Sequence, residues 1–241
     1  KAADDAKQVK GYESTQAFLD KYFLQVAKDC DALVPVMEKK FGEFPPIAEK
    51  EARLEEINKF LGLLDNKDCQ LTDVYAQFLK AKIEIDPTAE AYFFLGNLEG
   101  KKDNNSAALE AYKKASELEG EGENKDRYLY QVAHAQYSSR SYKSAFNTAK
   151  SVGGDYKGDA LLICANAIAA LSNDCGESTF ERKANYWLAN DYVRQAIANG
   201  ASASSDKFLS NAPDSQMLFD EAKEVGQTVT LSCWGETTTI R

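Results

Sequence analysis

A chain of 241 residues with 44% apolar and 28% charged side chains can bury a sizeable core, which excludes a disordered polymer. Its 29 Lys and Arg oppose 38 Asp and Glu, a net charge of −9 without a basic stripe. That balance excludes a nucleic-acid backbone or an anionic membrane surface as the natural partner, since both demand clustered cations, and no apolar run is long enough to cross a bilayer.

Residues 1–11 are polar and read as a frayed lead-in. A helix is expected from Ser14, with Phe18, Tyr22, Phe23 and Val26 on one stripe. The apolar stretch Leu33 to Phe41 follows, interrupted by Pro35. Pro46 suits the first position of the next helix. Ile47, Leu54, Ile57, Leu61 and Leu64 give its stripe, Glu49 to Glu56 its solvated face, and it should stop near Asn66. Leu71 to Ile85 is a further helix, ended by Asp86-Pro87 because the residue before proline avoids the helical region. Residues 1–86 thus read as a helical segment of degenerate hairpins.

From Thr88 small and aromatic residues recur at fixed offsets. "AEAYFFLGNLEGKKDNNSAALEAYKKASELE" carries Tyr92-x-x-Leu95-Gly96, then Ala108-x-x-x-Tyr112 and Ala115. Moving 37 residues on, Leu129, Val132 and Ala133 fall in the same register, with Ala145 matching Ala108 and Tyr142 in the turn. A third unit has Cys164, Ala165 and Ala167 in one helix and Ala189, Val193 and Ala196 in the other, separated by the insertion "SNDCGESTFERK". This pattern resembles the tetratricopeptide repeat (TPR). The resemblance implies an all-α fold, an α-α superhelix of antiparallel hairpins, with repeats at about 89–122, 126–155 and 158–199 within 87–200.

Residues 201–241 change character. A short helix is expected from near Asp214, and then the period becomes two: Val229, Leu231 and Cys233 alternate with Thr and Ser. Gly235-Glu236 offers a two-residue turn, so that Thr237 to Ile240 would pair with Val229 to Cys233. Such a hairpin caps the last helical pair with Trp234 as anchor, or presents an edge strand to a partner. "NDCGESTFERKANYWLANDYVRQA" with "CWGETTTIR" resembles a group of exported bacterial TPR proteins, and that resemblance implies an exported, periplasmic or cell-envelope location and no enzymatic activity. A cytoplasmic location is the alternative.

No phosphate loop, dinucleotide fingerprint, zinc-protease or nucleophile-elbow motif occurs. The five cysteines form no C-x-x-C pair and there is one histidine, so neither a metal nor another cofactor is expected. In an oxidising compartment Cys30 with Cys69 is the natural disulfide, bracketing the first hairpin; otherwise these are free thiols. Cys164 with His134 is the nearest approach to a nucleophile and base, but Cys164 lies among Leu161, Leu162, Ile163 and Ala165 and reads as core.

The repeat register suggests a concave groove. Phe93, Tyr130 and Leu162 share one position, and Asn97, His134 and Asn166 share another four residues on, with Lys101 and Tyr137 nearby. An apolar row beside an amide and imidazole row suits an extended peptide, whose backbone needs both donors and acceptors. The alternative is that these residues only solvate the face or pack on a neighbour. The expected function is therefore a non-catalytic scaffold binding a protein or peptide segment. A carbohydrate-binding module is the second reading, and a hydrolase the third.

Overall fold

The computed structural model describes residues 29–42 and 50–241, together with Tyr22 and Ala27. The helix expected from Ser14 (Tyr22 excepted) and the segment with Pro46 and Ile47 lie outside the described residues. Among the described residues the fold is all-α, ten α-helices followed by one two-stranded antiparallel sheet. Two compact units divide at Lys102/Asp103. The division falls inside the first expected repeat, 89–122, rather than at the expected 86/87, and leaves the second and third repeats whole in the second unit.

The N-terminal unit holds α1 (Cys30–Gly42), α2 (Lys50–Asp65), α3 (Asp73–Ile85) and α4 (Ala89–Lys101). Pro35 sits inside α1 without interrupting it, contrary to expectation. At the sixth position it lies past the first turn, so α1 forgoes the bond that an N–H at 35 would make to the Asp31 carbonyl and continues without it. Helix α2 buries Ile57, Phe60, Leu61 and Leu64, the i, i+3, i+4, i+7 stripe of a core-facing helix. Helix α3 starts at Asp73, not Leu71, because the Thr72 hydroxyl accepts from the Tyr75 N–H at 3.4 Å and fixes the cap there. Thr88 caps α4 in the same way, accepting from the Ala91 N–H at 3.2 Å. Successive helices α2, α3 and α4 pack on one another, and Phe78 is the centre of the core, with Phe41 and Phe60 rings 5.2 and 5.3 Å away. A disulfide joins Cys30 to Cys69, tying the start of α1 to the turn after α2.

The C-terminal unit holds α5 (Asn105–Glu119), α6 (Lys125–Ser138), α7 (Tyr142–Lys150), α8 (Lys157–Ala170), α9 (Thr179–Ala198), α10 (Ser215–Asp220), β1 (Thr228–Leu231) and β2 (Glu236–Thr239). Each helix from α5 to α9 packs on the next, and α6 also packs on α8. This consecutive packing is compatible with a helical repeat. Ala133, Ala145, Ala165 and Ala189 are wholly buried, as close helix approach requires. Helix α9 starts at Thr179, so the second half of the expected insertion is helix rather than loop. Ser178 caps it, accepting from the Glu181 N–H at 3.1 Å, while Glu181 accepts from the Glu177 N–H at 2.7 Å.

The terminal hairpin forms, but with a different turn. Leu231 pairs with Glu236 and Thr228 with Thr239, so residues 232–235 make a four-residue loop with Gly235 at φ +65°. The expected Gly235-Glu236 turn would have put Cys233 and Trp234 in a strand. Instead the loop directs Trp234 onto α9 and Cys233 to the segment that precedes it. Cys233 is bonded to Cys175. The Trp234 indole N–H donates to Asn185 Oδ1 at 2.8 Å, and its ring lies 4.9 Å from Phe146. Both strands lie on α9, Leu231 and Ile240 are buried, and Arg241 pairs with Asp191. The hairpin is a cap on this unit.

Candidate functional site

The eight expected groove residues divide between the two units, and each group has its own geometry. In the C-terminal unit, Tyr130 and His134 sit one turn apart on α6, their rings 6.4 Å apart. Tyr130 also lies 5.5 Å from Tyr156, which precedes α8. Burial, followed by the nearby Asp159 carboxylate and Tyr156, raises the Tyr130 phenol above its ordinary value. Tyr137, a turn further along α6, lies 5.4 Å from Tyr142 at the start of α7 and is likewise raised, chiefly by burial. The tyrosines are half-buried and His134 is exposed. On α8, Leu162 leans on the core, while Asn166 Oδ1 accepts from Lys207 Nζ at 2.8 Å. Lys207 belongs to the segment after α9, and this pairing was not visible in the repeat register. The result is a set of paired aromatic rings with an imidazole one turn from Tyr130, and a separate amide–ammonium pair at α8.

In the N-terminal unit the outcome differs. Phe93 is only 3% exposed, so it belongs to the packing rather than to a surface; its neighbour Phe94 is 43% exposed. Phe94, Asn97 and Lys101 follow one stripe of α4 and wall a cavity of about 350 Å³. The other wall is the turn between α2 and α3, with Asp65, Asp68 and Leu71. Tyr75 closes it from α3, its phenol raised by burial and then by the nearby Asp65 carboxylate. Asp68 holds a φ of +56°, a conformation that costs most residues about 1–2 kcal/mol and that Asp and Asn visit through local hydrogen bonding. None of the residues on this second wall was marked by sequence. The only signal was the 94/97/101 spacing, and the repeat register favoured Phe93 over it.

Cys164 is fully buried, and its thiol donates to the Phe146 carbonyl at 3.6 Å. Burial pushes it up to about 12, so it stays a thiol at neutral pH and is a poor nucleophile. Among the described residues no group of three or more His, Cys, Asp or Glu side chains is arranged to hold a metal ion, and no helix is long and apolar enough to cross a membrane. Comparison of the chain with protein-family models, with curated proteins and with solved structures found no match.

Proposed function

We propose that this chain is a non-catalytic, TPR-like scaffold that binds a protein or peptide segment, and that the aromatic face of α6 and α8 carries the contact. The observation behind this reading is the Tyr130–Tyr156 ring pair with exposed His134 one turn away. Rigid tyrosines supply contact area at small entropic cost, and His134 and Asn166 add hydrogen-bonding groups for a backbone. The consecutive packing of α5 to α9 supports the repeat reading. The two disulfides favour an oxidising compartment and hence an exported or cell-envelope location.

Affinity capture from an envelope fraction, followed by mass spectrometry, tests the reading. A partner should be retained by the intact protein and lost by the Tyr130→Ser, His134→Ala double variant. A partner that binds both equally well overturns the site; an intact protein that captures no partner overturns the function. A glycan is the second reading, because paired, half-buried tyrosine rings also suit a sugar face. A glycan panel in calorimetry separates the two.

A further inference from the structure

The cavity in the N-terminal unit is chemically distinct from the aromatic face. Asp65 is the last residue of α2, so its carboxylate adds to the partial negative charge that a helix carries at its C-terminal end. Asp68 follows in the same turn, and both line the cavity. Among the described residues that line it, two carboxylates stand against one ammonium, Lys101, on the α4 wall. Lys102, next in sequence, is turned away and paired with Asp73 at 2.8 Å. The cavity therefore has a net negative wall. A carboxylate has about four acceptor sites, so Asp65 and Asp68 can each accept from a bound cation. Two large apolar side chains exposed to solvent also line the cavity, Leu71 at 53% beside the carboxylates and Phe94 at 43% on α4. A cavity of about 350 Å³ is at the small end of ligand pockets, which span roughly 300–1,000 Å³, and suits one or two side chains rather than a large cofactor.

We infer that this cavity seats a peptide segment in which a lysine or arginine is followed by an apolar residue. The inference rests on the peptide-binding reading and gives it a second subsite with stated chemistry. The cationic head is drawn to Asp65 and Asp68, where charge-assisted hydrogen bonds are stronger than neutral ones. The neighbouring apolar side chain covers Leu71 and Phe94, removing their surface from water. Lys101 lines the same cavity, where it can donate to a carbonyl of the peptide backbone. It also repels a second cation, so the site selects one basic residue rather than a polybasic run.

Fluorescence polarisation with labelled, end-capped peptides tests this on the intact chain. The probe is Gly-Ser-Lys-Leu-Ser-Gly. The controls are Gly-Ser-Glu-Leu-Ser-Gly, which reverses the charge, and Gly-Ser-Lys-Ser-Ser-Gly, which removes the apolar side chain. The Lys-Leu probe should bind about tenfold tighter than either control, and its binding should weaken as salt is raised. Asp68→Asn should reduce it by about tenfold, and asparagine tolerates the positive φ, so the turn keeps its shape. Phe94→Ser, at an exposed position, should weaken the Lys-Leu probe and leave the Lys-Ser control unchanged. No binding of the Lys-Leu probe, equal binding of the Glu-Leu control, or an unaltered affinity in Asp68→Asn overturns the inference. The two sites fail separately. A captured partner lost in the Tyr130→Ser, His134→Ala variant but held by Asp68→Asn, with the Lys-Leu probe unbound, removes the cavity and leaves the aromatic face. A probe bound through Asp68, with no partner retained by the tyrosines, does the reverse.

Discussion

Asn185 and Asn190 lie on the same helix, both with no exposed surface, and have opposite circumstances. Asn185 donates to the Cys175 carbonyl at 2.7 Å and to the Glu181 carbonyl at 2.9 Å, and it accepts from Trp234. For Asn190, neither side-chain polar atom has a hydrogen-bond partner among the described residues. Asn185→Ala should destabilise the fold by roughly 2–4 kcal/mol, because it leaves at least two buried groups each costing ~1–3 kcal/mol without a partner. Asn190→Leu, close in shape, should leave the melting temperature unchanged or raise it. A clear fall measured by calorimetry would show that the Asn190 amide contributes to stability after all. Gly158 offers a second test of close approach. A methyl group there would sit 2.6 Å from the Asn199 carbonyl oxygen and 3.0 Å from the Ala201 nitrogen, both backbone atoms. A helical Gly→Ala change normally gains about 1 kcal/mol. Gly158→Ala should instead cost ~1–3 kcal/mol, readable as a lower urea midpoint.

The C-terminal hairpin forms where its local pattern places it, with a loop that the pattern does not specify. Two isolated strands are marginal in water, and these persist because they are fastened to α9, to the segment before it and to the end of α7. Cys233 is bonded to Cys175 across a sequence separation of 58. Thr238 donates to Asp191 Oδ2 at 2.5 Å, and Glu236 pairs with Lys150 and accepts from Tyr192. Cys233→Ser should lower stability by about 2–4 kcal/mol through the restored freedom of the unfolded chain. Deleting residues 227–241 should lower the melting temperature further and expose the α9 surface to a dye such as ANS. A truncated chain of equal stability that loses self-association would mean that the hairpin serves a partner rather than this fold. The hairpin was legible in sequence from the Thr-Val-Thr-Leu alternation. Its four-residue loop was not, because Gly235-Glu236 alone satisfies a turn rule and nothing local says that Trp234 must reach Asn185.

Across the whole chain, burial has set the titration of many phenols in one direction. Tyr75, Tyr112, Tyr130, Tyr137 and Tyr192 are all raised, with burial the largest cause, and the Cys164 thiol is pushed up to about 12. The folded state therefore holds these protons more tightly than the unfolded chain does. Below the unfolded values, 9.0 for the thiol and 10.0 for the phenols, the contribution is fully present. As pH rises past them the unfolded chain releases protons first, and stability falls. Urea midpoints measured between about pH 8 and pH 11 should decline steadily. A flat profile would mean that these side chains are solvated in the folded state.

The sequence by itself determined what depends on near neighbours along the chain. The 3.6-residue stripe of α2, the stop at Asp86-Pro87, the buried alanines at the recurring small positions and the change to period two after Gly226 are all local patterns, and the helices and strands followed them. Repeat register carried less far. It aligned Phe93 with Tyr130 and Leu162, yet α4 is turned so that Phe93 is buried and Phe94 is exposed, a difference of one residue that places a side chain about 100° around the helix. Only the tertiary structure decided that Cys175 meets Cys233, that Lys207 bonds Asn166, and that Asp65, Asp68 and Lys101 line one cavity. Each of these joins groups far apart in sequence. No periodicity encodes such a meeting, because it is fixed by how whole helices pack: the apolar faces choose the arrangement, and the polar groups at their margins meet as a consequence.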